Sequence, residues 1–386
     1  MVRKIRKVAV ITGTRAEYGL LKPVMRAIKA HPDLRLCTLV TGMHLSREFG
    51  ETYREIEKDS FKIHKKVDML VASDSSGAMA KSVGLGIIGL TQALEEVKPV
   101  FTLVLGDRVE AFAGAVAASF LKSIVGHIHG GDKAKGGYDD YMRHAITKMA
   151  HLHFCVSLQS AQRVIRLGEE KKFVFNVGAP GLDTILHHPE TSWYELIKKY
   201  KLDNKGQFAV MVQHSVSTQG EAARMQVRQT LKALKRTQLR TLVIYPNSDA
   251  GGRSIIEELK NWKNVPAFSF YKSLPREDYI GLLRKASFLI GNSSSGMIES
   301  TSLSLPVINI GIRQQGRECG ENVLHSPHNE NIIFALVQKC LYDKEFSGIV
   351  KKAKNPYGRG KAGNKIATIL SRIKEPSRLL LKQITY

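Results

Sequence analysis

The stretch Phe101-Thr-Leu-Val-Leu105, running into Gly106-Asp107-Arg108 and then into Val109 to Ala118, decides the fold. Five apolar or β-branched residues in a row are too few for a buried helix, and the glycine turn behind them opens a helical pattern. A strand buried on both faces and followed by a helix belongs to a parallel sheet covered by helices. The same unit recurs on either side. Val8-Ala-Val-Ile-Thr12 leads through Gly13-Thr14-Arg15 into a helical stretch around Tyr18 to Ala30, and Leu34 to Thr41 precedes an expected helix near Leu45 to Lys58. Ile124 to Ile128 is a further strand. The pattern then begins again with Phe208 to Val212, Thr241 to Tyr245, Phe288 to Ile290 and Val307 to Ile310, alternating with helices at Glu221 to Lys235, Ser254 to Lys260 and Asp278 to Lys285. Two such blocks predict an α/β protein of two doubly wound domains facing a central cleft, with ligands beyond the carboxyl ends of the strands. His187-His-Pro-Glu-Thr191 and Asp203-Asn-Lys-Gly206 mark the junction, and a last helical stretch spans Lys361 to Lys374.

Composition narrows the function. The chain has 386 residues, 43% hydrophobic and 24% charged, which excludes disorder and coiled coil. No apolar run approaches the ~18 residues of a membrane span, and Val8 to Ile11 is too short for a signal-peptide core, so a cytoplasmic protein is expected. Cys37, Cys155, Cys319 and Cys340 are scattered and read as reduced thiols without a zinc site. The net charge of +23 favours anionic partners. Zinc-finger spacing and RNP-type strands are missing, so a phosphorylated small molecule is preferred to nucleic acid.

Polar residues directly behind strands are the candidates for chemistry. Gly84-Leu-Gly86-Ile-Ile-Gly89 matches a dinucleotide fingerprint but follows a helical stretch, so it reads as close packing. Gly13-Thr14-Arg15 offers a glycine turn and a guanidinium for phosphate. Asp107 faces the expected cleft, held ionised by Arg108 or serving as a helix cap. His127 to Asp132 and Tyr138 to His144 gather carboxylates and histidines, with Asp139 and Arg143 one helical turn apart. His127 and His129 alternate on a strand, which disfavours a metal site and favours acid–base work by the carboxylates. In the second half, Gln213-His214-Ser215, Tyr245 to Gly252 and Gly291-Asn-Ser-Ser-Ser-Gly296 follow strands. The last of these opens a helix expected to contain Glu299, an acceptor for ribose hydroxyls, and to bind an anion at its N-terminus.

In order along the chain, Thr12-Gly-Thr-Arg-Ala-Glu-Tyr-Gly19, Gly106-Asp-Arg108, His127-Ile-His-Gly-Gly-Asp132, Tyr138-Asp-Asp140, Arg143-His-Ala-Ile-Thr147, Tyr245-Pro-Asn247, Gly291-Asn-Ser-Ser294 and Pro306-Val-Ile-Asn-Ile-Gly-Ile-Arg-Gln314 resemble the UDP-N-acetylglucosamine 2-epimerases. So do Gly316-Arg-Glu318 and Gly320-Glu-Asn-Val323. Thr41-Gly-Met-His44 and His129-Gly-Gly-Asp132 are similar to the hydrolysing branch of sialic and legionaminic acid synthesis. The resemblance implies a glycosyltransferase-B-like fold of two Rossmann-like domains, 1–180 and 181–365, with the C-terminal helix in 366–386 packing back on the first. It implies a homodimer or homotetramer, a UDP-sugar substrate, and neither metal nor other cofactor.

The catalytic candidates are Asp107, Asp132, Asp139 and His214. Those for substrate binding are Arg15, His44, Arg108, Arg143, Asn247, Ser293, Ser294, Gly296, Glu299 and Arg313. The expected reaction converts UDP-N-acetylglucosamine and water to N-acetylmannosamine and UDP. Alternatives are the same chemistry on UDP- or GDP-linked N,N'-diacetylbacillosamine, a non-hydrolysing epimerase, or a glycosyltransferase of the same fold. Two departures from the family stand out: Asp132 where Glu is usual, and His214-Ser-Val-Ser217 where His-Pro-Val-Thr is usual.

Overall fold

The computed structural model describes residues 5–71, 76–133, 139–187, 191–204, 206–246, 251–383 and 385, without the side chains of 76, 139, 187, 217 and 218. Its chain divides into two compact units. One takes in Met1–Asp132, Tyr138–Thr184 and Tyr357–Tyr386, and the other Ile185–Pro356 with Lys133–Gly137.

The first unit is built on seven strands: β1 (Arg6–Thr12), β2 (Leu34–Thr41), β3 (Ile63–Val67), β4 (Phe101–Leu105), β5 (Ile124–Ile128), β6 (Leu152–Cys155) and β7 (Val174–Asn176). They form one sheet in the order β3-β2-β1-β4-β5-β6-β7, with every pair parallel. The second unit holds β8 (Phe208–Val212), β9 (Arg240–Ile244), β10 (Phe268–Tyr271), β11 (Phe288–Gly291), β12 (Val307–Ile310) and β13 (Val323–Ser326), ordered β10-β9-β8-β11-β12-β13 and again parallel. Strand order reverses between β1 and β4 and between β8 and β11, and loops leaving such switch points splay apart and make room for ligand.

Apolar clusters cover both faces of each sheet. The alanine-rich helix Val109–Phe120 packs on helix Ser76–Val97, which contains the whole Gly84–Gly89 stretch. There Gly86 lies against Met69 and Gly89 against Val67, as close packing requires. The helix expected over Leu45 to Lys58 is shorter. A 3₁₀ turn covers Gly42–Leu45 and an α-helix only Tyr53–Lys58, because Gly50 and Glu51 between them take φ of 86° and 47°. Among the described residues no helix is long and apolar enough to cross a membrane.

Residues 357–386 complete the first unit. Helix Ala362–Arg372 lies along helix Arg15–Ala30, and Ile366, Leu370 and Leu379 join Val8 and Leu21 in one core. Beyond it, Lys382 Nζ donates to the carbonyls of Lys148 and Ala150, each at 2.6 Å, and of Thr147 at 3.2 Å. These carbonyls lie at and just beyond the end of helix Asp139–Met149, where the last turn leaves acceptors to be satisfied. The same ammonium lies 2.6 Å from Glu169 Oε2. Burial pushes the Glu169 carboxyl up, but hydrogen bonds from His153, Lys148 and Lys382 outweigh it and hold its pKa at about 2. Replacing Lys382 with Met is expected to cost ~2 kcal/mol, or roughly 4–8 °C of melting temperature, at pH 7. A carboxylate held low stabilises the fold above its unfolded pKa near 4.5, so the deficit shrinks as pH falls from there towards 2. Calorimetric melts at pH 7 and pH 3.5 measure both effects.

Candidate active site

In the first unit, the ends of β1, β2, β4 and β5 carry the polar residues. Asp107 follows β4, and its carboxylate is ion-paired with Arg143 of helix Asp139–Met149. Arg143 Nη1 also donates to Asp140 Oδ1 at 2.7 Å and to the Asp132 carbonyl at 2.9 Å. One guanidinium, its side chain 3% exposed, therefore gathers the end of β4, the loop after β5 and the start of a helix.

The expectation that Arg108 is what holds Asp107 is corrected. Arg108 is the residue before helix Val109–Phe120, its backbone is extended, and its guanidinium turns to Glu110 at 3.2 Å. Asp107 does not cap that helix either, since the cap position is Arg108 and makes no side-chain cap bond. Arg143, expected to bind substrate, carries carboxylates here, one of them Asp140, three residues before it on the same helix. Asp139 opens the helix, but its side chain lies outside the described residues, as does Asn247 altogether.

Asp132 is buried in a short relay. Its Oδ2 meets His129 Nδ1 at 2.9 Å, and its Oδ1 accepts from Ser160 Oγ at 2.8 Å. Such a carboxylate fixes the imidazole tautomer and leaves Nε2 for proton transfer. His129 Nε2 makes no hydrogen bond with the described residues. His127, two residues earlier on β5, is structural: it bonds the Gly106 carbonyl at 2.7 Å and Thr147 Oγ1 at 3.1 Å, and burial pulls its pKa to about 3. His44, expected to touch substrate, is fully buried with Nε2 on Thr12 at 3.1 Å and Nδ1 on Thr52 at 2.7 Å. Both ring nitrogens are occupied, so it supports the Gly13 turn from beneath. Arg15 opens helix Arg15–Ala30 and reaches Glu55 at 3.0 Å in an exposed pair that a phosphate can displace at little cost.

In the second unit, Asn292 ties two loops together. Its side chain accepts from the His214 backbone N–H at 2.7 Å and donates to the His214 carbonyl at 2.9 Å, joining the ends of β8 and β11. Behind β12, Arg313 and Gln314 donate to the Asn292 carbonyl at 3.3 and 2.9 Å. The serine loop departs from expectation. Its helix, Ser294–Ile298, has five residues, too short for a substantial dipole, and Ser293 is its cap. Gly296 packs on Val307.

Glu299 lies just beyond this helix, where Arg276 Nη2 meets its Oε1 at 2.6 Å. Its Oε2 is buried without a hydrogen bond from any described residue, an acceptor suited to a hydroxyl. Arg276, His129, Glu17 and Glu110 were not anticipated as site residues. Only Thr14-Arg-Ala-Glu17 carries a sequence signal, that of a capping box. Among the described residues, no group of three or more His, Cys, Asp or Glu side chains is arranged to hold a metal.

Comparison with known proteins shows the family and the fold. The UDP-N,N'-diacetylbacillosamine 2-epimerase (hydrolyzing) of Legionella pneumophila is 35% identical over 382 residues, covering 99% of this chain and 100% of the relative. The UDP-N-acetylglucosamine 2-epimerase of Neisseria meningitidis is 32% identical over 341 residues, 88% and 89% of the two chains. The fold is that of a solved UDP-GlcNAc 2-epimerase from Neisseria meningitidis bound to UDP-GlcNAc, with a TM-score of 0.82, 19% identity, and 94% and 99% of the two chains covered. The model of the family described as UDP-N-acetylglucosamine 2-epimerase matches residues 26–371, and the chain belongs to that family.

Proposed function

We propose that the chain hydrolyses UDP-N-acetylglucosamine with inversion at C2, releasing N-acetylmannosamine and UDP. The observation that carries this reading is the Arg143 cluster, which gathers Asp107, Asp140 and the backbone of Asp132, itself paired with His129. A base takes the C2 proton, the C–H electrons form a C1–C2 double bond, and the C1–O bond to UDP breaks. Water then adds to C1, and a proton returns to the opposite face of C2. Asp107, Asp139 and Asp132, the last through His129 Nε2, share the base and acid roles. His214, Arg15 and Arg313 take up charge on the leaving diphosphate. Ser293, Ser294 and Glu299 hold the nucleotide, and the net charge of +23 favours arrival of an anion.

A second reading, the same chemistry on UDP-linked N,N'-diacetylbacillosamine, is favoured by full-length similarity to the Legionella enzyme. Asp132, one methylene shorter than the usual Glu, fits a differently shaped sugar pocket.

Proton NMR in D2O with each UDP-sugar tests both readings. Release of UDP with N-acetylmannosamine deuterated at C2 supports the first, and release from the diacetylated substrate alone supports the second. Formation of UDP-N-acetylmannosamine without free sugar assigns the non-hydrolysing reaction. Asp107→Asn or Asp139→Asn is expected to lower kcat by ~10²–10⁴ while UDP still binds, measured by coupled assay and calorimetric titration. Normal turnover in both variants removes these assignments. Glu299→Ala is expected to raise KM by ~10-fold or more with a smaller change in kcat, as lost nucleotide binding requires.

A further inference from the structure

Glu17 and Glu110 are carboxylates 4% and 0% exposed, and the reaction above gives neither a role. Glu110 sits in the first turn of helix Val109–Phe120 and fills the space above two glycines. A Cβ on Gly13 would lie 2.4 Å from its Cγ, and one on Gly42 2.5 Å from its Oε1. Gly42 also takes a φ of +59°, so neither turn accepts a side chain while Glu110 is in place. The same carboxylate receives Arg108 Nε at 3.2 Å and Nη2 at 3.5 Å. Glu17 approaches from the other side of Gly13: its Oε2 accepts the Gly13 N–H at 2.7 Å, and its own N–H donates to Thr14 Oγ1 at 3.3 Å. The loops leaving β1, β2 and β4 thus all close on one pair of acids.

We propose that Glu110 and Glu17 are a positioning pair that holds the Gly13, Gly42 and Arg108 loops in register for the sugar nucleotide, with Glu110 holding the Arg108 guanidinium. This rests on the function proposed above and adds residues to it. Two acids with one guanidinium between them need a proton to balance, and Glu17 keeps it. Burial first, and the Glu110 charge second, push its pKa to about 8 against the pull of the Gly13 and Thr14 hydrogen bonds and of Arg108. Glu110 and Arg108 are the charged groups facing it. His44, on the turn after β2, is neutral because burial lowers its pKa to about 4. Ionisation of Glu17 leaves two buried carboxylates against one arginine and forces the loops apart.

The sign follows from linkage. An acid raised in the fold stabilises fully below its unfolded pKa, near 4.5, and that contribution is lost as pH climbs towards 8.

The test uses the full chain: kcat and KM for UDP release between pH 6 and pH 9.5, melting temperature from pH 4.5 to pH 9, and UDP titration. Wild type is expected to lose kcat/KM near pH 8. Glu17→Gln, which keeps the protonated shape, is expected to lack that alkaline fall, to gain melting temperature relative to wild type as pH rises, and to bind UDP unchanged. Glu110→Gln is expected to raise KM by ~10-fold with a smaller fall in kcat. A wild-type alkaline limb in Glu17→Gln, or wild-type kcat and KM in Glu110→Gln, overturns the proposal. Should Glu110→Gln fail to fold, the pH profile and melts of Glu17→Gln decide alone. If wild type releases UDP from no UDP-sugar, the functional reading fails, while the melting curves still judge the pair.

Discussion

A guanidinium with 3% of its side chain exposed is costly to bury without partners, and Arg143 is surrounded by them. Asp107, Asp140 and the Asp132 carbonyl come from three separate stretches, and each meets the one arginine. The charge cannot leave the cluster without stranding a carboxylate, and the carboxylates cannot spread without stranding the charge. The proposed acid–base chemistry depends on this constraint, because carboxylates left to themselves repel and one of them takes up a proton. In the second unit, Asn292 does by neutral hydrogen bonds what Arg143 does by charge, joining loops from adjacent strands.

Much of the fold was legible in the sequence, for reasons that also mark where reading stopped. Phe101 to Leu105, Ile124 to Ile128, Phe208 to Val212 and Val307 to Ile310 are interior strands buried on both faces, and their mostly apolar runs delimit them to the residue. The missed strands lie towards the sheet edges. β3 reads Ile-His-Lys-Lys-Val because one side meets solvent, β7 is three residues long, and β13 carries His325. Such strands owe their existence to a neighbour and have little pattern of their own.

The site was legible by position and less so by partnership. Residues behind central strands were found, since topology places them. Which acid meets which base was not, because it depends on side-chain direction. Arg108 looked like the partner of Asp107 by adjacency, yet consecutive residues leaving the Gly106 turn diverge, and the partner came from a distant helix. Glu110 escaped notice because its role is defined by the absence of side chains on Gly13 and Gly42, which no local pattern records. His44 looked functional through its motif, but its ring fills the interior between two threonines.

The first unit is assembled from both ends of the chain, with Ile185–Pro356 threaded between its parts. A ribosome releases these pieces in order, so the second unit has its whole sequence available while the first still lacks Ile366, Leu370, Leu379 and Lys382. Until they arrive, the apolar face of helix Arg15–Ala30 and the carbonyls that end the Arg143-bearing helix stand uncovered. The second unit is thus free to mature during synthesis, whereas the helix that bears Arg143 gains the contacts of Lys382 only later.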